Sequence, residues 1–176
     1  MKENTVKYMT IHALFIALVC VSTMVIHIPI PLGYMHLGNT CILLAGAMGG
    51  PVTGLLAGGI GSALADLLTG YTEWVLPTLI IKGIMGFAIG WIIRGKRAPL
   101  HMASVRTFLG SVAGIIIMIF GYFVGGSILY GSIYTGATQI PGLTVEGVLG
   151  MILFYLVGFV LEKAKVLSMF STVSQK

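Results

Sequence analysis

Apolar runs of about twenty residues recur along this chain of 176 residues, and each is closed by charged or turn-forming residues. A helix needs roughly 20 such residues to cross the hydrocarbon of a bilayer. Composition agrees, with 57% hydrophobic and 9% charged residues and a mean hydropathy of +1.02, where a soluble domain carries about 25% charged residues. The expectation is an all-α integral membrane protein forming one domain over residues 1–176.

Six runs read as transmembrane helices in one bundle, at about 8–26, 40–48, 51–68, 75–93, 105–129 and 145–166. The run HIPIP at 27–31 ends the first, because proline stops a helix and disfavours helical geometry just before it. A polar loop at 33–39 leads to the second helix, which at about nine residues covers only ~14 Å and must be short, tilted or extended by that loop. Gly49, Gly50 and Pro51 turn the chain into the third helix, and a loop at 69–74 precedes the fourth. The lysines ahead of the first run resemble a signal peptide. No small-x-small cleavage site follows, and the run has spanning length, so a retained helix is expected.

A net charge of +5 and a pI near 9.4 could indicate nucleic acid, but position decides against it. Lys2 and Lys7 precede the first helix, Arg94, Lys96, Arg97 and Arg106 lie between the fourth and fifth, and Lys163, Lys165 and Lys176 follow the sixth. With six spans, every basic residue except Lys82 falls on one side, which is cytoplasmic with both termini. Asp66, Glu73, Glu146 and Lys82 then occupy the outer half. Cys20 and Cys41 lie in or beside apolar runs and read as packing residues, not a disulfide framework.

The unusual residues concentrate between Gly46 and Lys82. Gly46, Gly50, Gly54, Gly58 and Ser62 recur every four residues, and the next stride reaches Asp66; Thr78, Lys82, Gly86 and Gly90 repeat the pattern. Residues four apart share a helix face, and small residues line helix contacts in membranes, so both charges should point into the bundle. An intramembrane ionisable residue is a functional candidate by default; a structural ion pair is the competing reading. The outer loops add Tyr34, His36 and Asn39, then Tyr71, Glu73 and Trp74, then Tyr130, Tyr134 and Gln139, with Glu146 opening the last helix. Tyrosine and tryptophan also form interfacial belts. His36 and Asn39 rank above the tyrosines because they sit where the chain re-enters the membrane, and irregular backbone there must be buried or line a cavity.

Several chemistries lack their residues. GWIIRGKR at 90–97 nearly spells a phosphate-binding loop, but Arg97 replaces the required Ser or Thr and no strand precedes it. There is no HExxH, CxxC or Gly-x-Ser-x-Gly, which disfavours a metal centre or an intramembrane enzyme. Inverted repeats, which would mark a stand-alone transporter or channel acting as a dimer, are not visible. The inner halves of the helices carry almost no ionisable groups, so an outward-facing site has no evident energy source in this chain.

The six-helix plan, the pair Ala13-x-x-x-Ala17 and the run HLGNTCILLAGAMGGPVTGLLAGGIGSALADLLTGYTEWVLPTLIIKG resemble the substrate-binding S components of energy-coupling factor (ECF) vitamin transporters, nearest to their riboflavin-type and hydroxymethylpyrimidine-type branch. The resemblance implies a multi-pass protein of a prokaryotic plasma membrane that binds one vitamin near the outer surface. Its partners would be a transmembrane T component and two cytoplasmic ATPases, with ATP used by those subunits and no cofactor in this chain. It further implies that Ala13 and Ala17 contact the T component and that the subunit topples to release its cargo. The matching regions carry His36 and Asn39, Glu73 and Trp74, Lys82, and the outer ends of the last two helices with Tyr130, Tyr134 and Glu146; Asp66 is added from its stripe. Hydroxymethylpyrimidine or pyridoxine suits this inventory first and riboflavin second, since aromatic rings would stack a heterocycle while Lys82, Asn39 and a carboxylate bind its substituents.

Overall fold

The computed structural model describes residues 2–25, 28–30, 33–95 and 100–167. Helix α1 spans Lys2–Val25, and a two-stranded antiparallel hairpin follows, β1 at Ile28–Ile30 and β2 at Gly33–Met35. Helix α2 covers Gly38–Leu56 and continues through a π-helical turn at Ala57–Gly61 into α3 at Ser62–Thr69. A short 3-10 turn at Thr72–Trp74 opens α4, Val75–Arg94. Then come α5 at Val105–Leu129, a short α6 at Ile133–Thr138 and α7 at Ile140–Lys163. Five helical stretches are long and apolar enough to cross a membrane, the one at Gly38–Thr69 being far the most enclosed by its neighbours.

That central stretch is folded on itself. Gly50 has φ 83° and ψ −172°, a region that only glycine enters without strain of about 1–3 kcal/mol. The two limbs then lie back to back: a Cβ added at Gly54 would stand 3.1 Å from the Cα of Gly46, and one at Gly58 would stand 3.3 Å from Ile42. In a straight helix residues eight apart are ~12 Å apart. Pro51 is tolerated because it opens the second limb, where the missing N–H has no partner to lose.

Helix α4 lies against both limbs, its largest contact being with α2. The spacing of four is what permits this. A Cβ at Gly54 would strike the Gly86 carbonyl, one at Gly86 the Gly54 carbonyl, and one at Gly90 the backbone of Gly50 and Pro51. The stripe is thus a backbone-to-backbone seam in which any side chain would force the helices apart. Helix α5 packs beyond α4, its Gly110, Gly114 and Gly121 receiving Ile93, Ile89 and Ile81. Helix α7 closes against α2, with Thr40 donating to the Gly150 carbonyl at 3.1 Å. The rim is apolar: Trp91, Phe120 and Val160 are each about two-thirds exposed, as lipid-facing side chains should be. Cys20 and Cys41 are buried, unbridged packing residues.

Three features depart from the sequence reading. The segment at 33–39 contains strand β2 and the first turn of α2, so it is not a plain polar loop. The loop at 69–74 holds a left-handed Gly70 cap and the 3-10 turn. The last helix starts at Ile140, before the expected 145, and is preceded by α6. Pro141 and Gly142 occupy the first turn of α7, where proline is accommodated. Ser132 caps α6 by accepting from the Thr135 N–H at 3.4 Å.

Candidate functional site

The C-terminal ends of α1, α3 and α5 and the N-terminal ends of α2, α4 and α7 meet at one end of the bundle around a cavity of about 370 Å³. His36, Asp66, Trp74, Lys82, Tyr130 and Glu146 all line it. The opposite end collects Lys7, Arg94, Arg106 and Lys163 at the other termini of the same helices.

The floor is a chain of polar groups spanning three helices. Asn39, the second residue of α2, is fully buried. Its amide Nδ2 donates to Glu146 Oε1 at 2.7 Å, and its Oδ1 accepts from Lys82 Nζ. The amide therefore sits between an ammonium and a carboxylate with each end facing the group it suits. Lys82 is 2% exposed and Glu146 5% exposed. Buried charges are tolerable only when compensated and hydrogen-bonded, and Asn39 provides the link. Lys82 is also 3.1 Å from Met118 Sδ and 5.4 Å from the centre of the Tyr122 ring, within cation–π range.

His36 completes the floor. Its Nδ1 accepts the Gly38 N–H at 3.1 Å, so the proton of the neutral ring belongs on Nε2, which reaches Glu146 Oε1 at 3.0 Å. Glycine at 38 is required by the crowding: a Cβ there would meet Thr23 Oγ1 and the His36 ring.

The side wall is aromatic. The Trp74 ring lies 5.5 Å from Tyr122 and 6.1 Å from Tyr130, and its Nε1–H donates to the Tyr130 hydroxyl at 3.2 Å. The Tyr122 hydroxyl shares a hydrogen bond of 3.0 Å with Thr78. Flat faces beside a buried polar floor can hold a ring by stacking while its edge is hydrogen-bonded.

Three expected residues stand apart from the cavity. Asn39 organises the floor from beneath without lining the cavity. Glu73 is exposed in the 3-10 turn, and Tyr134 is 82% exposed on α6; neither lines the cavity. Asp66 and Lys82 do not form an ion pair among the described residues, because Lys82 is engaged by Asn39. Ala13 and Ala17 lie on the exposed face of α1.

Sequence reasoning passed over Thr23, Tyr122, Thr135 and Thr138, which also line the cavity. Two of them had a signal. Tyr122, Gly126 and Tyr130 repeat every four residues along α5, and Thr23 continues the buried face of Phe15 and Val19. The threonines of α6 had none, because that helix itself was not foreseen.

Comparison with known proteins fits this geometry. A curated protein of Pyrococcus woesei, described as "Uncharacterized protein in gap 3'region", is 40% identical over 153 residues, covering 82% of this chain and 99% of that protein. The profile of the family described as "ECF-type riboflavin transporter, S component" matches residues 3–163. With its enclosed polar floor, its aromatic wall and nearly its whole length inside that profile, the chain belongs to the ECF-type riboflavin transporter S-component family.

Proposed function

We propose that this chain captures a small hydroxylated aromatic heterocycle in the cavity between α1, α4, α5 and α7 and hands it inward as part of an ATP-driven importer. As a member of its family it is the substrate-binding subunit of a vitamin transporter and not an enzyme. The observation that carries the finer reading is the pairing of a closed Lys82–Asn39–Glu146–His36 floor with the Trp74–Tyr122–Tyr130 wall. About 370 Å³ lies at the lower end of small-molecule sites, which favours a one-ring compound such as hydroxymethylpyrimidine or pyridoxine over the three-ring riboflavin. The chain crosses the plasma membrane six times, the folded central stretch counting twice, with both termini cytoplasmic and the cavity facing out. A T component and two ATPases supply the drive, and the exposed Ala13–Ala17 face of α1 docks on the T component.

The test is equilibrium binding to the purified chain, without ATPases, over B vitamins and their precursors. Tight one-to-one binding of one compound without turnover is expected; ion-driven uptake by this chain alone would sink the reading. For the bound compound, Trp74→Ala should weaken affinity by roughly 3- to 10-fold through lost stacking. Tyr134→Ala, outside the cavity, should leave it unchanged.

A further inference from the structure

The charged side chains on the cavity wall do not balance. Lys82 and Glu146 offset each other through Asn39, and His36 serves as a neutral donor. Asp66 is left over. It lies at the end of the small-residue stripe and faces the same cavity from α3. Thr78 reaches its carboxylate, yet its Oδ2 is buried and has no hydrogen-bond partner among the described residues. No described lysine or arginine comes within ion-pair distance of it.

A second orphan shares this cavity. Thr23 is 7% exposed, and its Oγ1 is buried without a hydrogen-bond partner among the described residues. Its hydroxyl lies against the Cα of Gly38 beside the His36 ring. Buried polar atoms are nearly always satisfied, and leaving one unmade costs about 1–3 kcal/mol. Two such atoms, both on residues that line one cavity, are accounted for if side-chain rotation on binding turns them to the bound molecule.

We infer that Asp66 selects a nitrogen heterocycle that presents an N–H donor to its Oδ2, with Thr23 making a second hydrogen bond to the same molecule. An ionised carboxylate only accepts, so a ring carbonyl, phosphate or carboxylate in that place would be repelled. The donor is an exocyclic amino group or a protonated ring nitrogen; both present the same N–H to the carboxylate. This inference rests on the binding-subunit reading and deepens it by dividing the work. The floor holds hydroxyl substituents, the aromatic wall holds the ring, and Asp66 chooses which ring.

The test measures binding of 4-amino-5-hydroxymethyl-2-methylpyrimidine, its 4-methyl counterpart, pyridoxine and riboflavin to the full chain in detergent, as wild type, Asp66→Asn and Thr23→Val. Whichever of these the wild type binds should lose roughly 10- to 100-fold in Asp66→Asn and roughly 2- to 10-fold in Thr23→Val. Loss of binding by the 4-methyl counterpart identifies the amino group as the donor. Retained binding with the same Asp66→Asn penalty identifies the ring nitrogen. Ligand-free thermal stability is the second readout: Thr23→Val deletes an orphaned buried hydroxyl and Asp66→Asn removes a half-buried charge with no ion-pair partner among the described residues, so both should leave the melting temperature equal or higher. Unchanged affinity in Asp66→Asn, or a lower melting temperature with affinity intact, overturns the inference and leaves the binding-subunit reading standing. If no vitamin or precursor binds the wild type at all, both fall.

Discussion

Lys82 and Glu146 are held inside an apolar bundle by one amide, so the fate of each depends on the other. Removing either leaves the partner charged, buried and without compensation, which typically costs about 3–5 kcal/mol. Lys82→Met and Glu146→Gln should therefore each destabilise the chain strongly. The double variant should cost clearly less than the sum, because it removes both charges together. Chemical unfolding in detergent micelles would show this, and strict additivity would mean that the two groups act independently despite the Asn39 bridge. Their roles were only half visible beforehand. Lys82 was identifiable because a lysine among glycines and isoleucines has no lipid-compatible place. Its partner was not: Asn39 and Glu146 are 107 residues apart in the chain, and periodicity says nothing about which helix faces which. Asp66 looked like the nearer choice because α3 and α4 are neighbours in sequence.

Elements were legible where an interval of four persisted over several turns. The stripes from Gly46 to Ser62 and from Thr78 to Gly90 announced close packing, and the structure places them face to face. What the intervals do not encode is the short, locally determined geometry: the two strands of the β hairpin, the π-helical turn and α6 each occupy six or fewer residues. The seam makes a sharp prediction about glycines that look alike in sequence. A Cβ at Gly86 would collide with the Gly54 carbonyl, whereas one at Gly125 would find ordinary contacts at 3.5–3.8 Å. Gly86→Ala should cost about 1–3 kcal/mol by overpacking, and it should also weaken vitamin binding, because Lys82 lies one turn away on the same helix. Gly125→Ala should be neutral or slightly stabilising, as alanine is the better helix former by about 1 kcal/mol. Melting temperatures of the two variants decide it, and equal effects would remove the seam's claim to set the helix spacing.

At the scale of the whole molecule, the basic helix ends with Lys7, Arg94, Arg106 and Lys163 on one side and the cavity on the other define a polarity that can be read from outside a cell. Cys20 and Cys41 are buried, so an added cysteine is the accessible thiol. Tyr134→Cys, at a position 82% exposed beside the cavity end, should react with a membrane-impermeant maleimide on intact cells. Lys163→Cys should react only after the membrane is opened. The reverse pattern would invert the orientation and close the cavity to external vitamin.

The proposed docking on a T component would need a surface that grips the partner without disturbing the cargo, and the placement of α1 fits that proposal. Its inward face carries Phe15, Val19 and Thr23, the last at the cavity, while Ala13 and Ala17 lie exposed nearer the basic end. Small side chains allow a partner helix to approach closely, and leucine at either position would hold it away. Ala17→Leu adds bulk only to the outer surface, so vitamin affinity in the purified chain should stay within about twofold, corresponding to the usual ±0.5 kcal/mol of a neutral surface substitution. Uptake by cells that supply the T component and ATPases should fall to background. Binding and uptake lost together would mean that α1 shapes the cavity and not the docking surface. Both retained would place that surface on the lipid-facing sides of α5 or α7. Only the split result, binding kept and uptake lost, is what an α1 with one face for cargo and one for the partner requires.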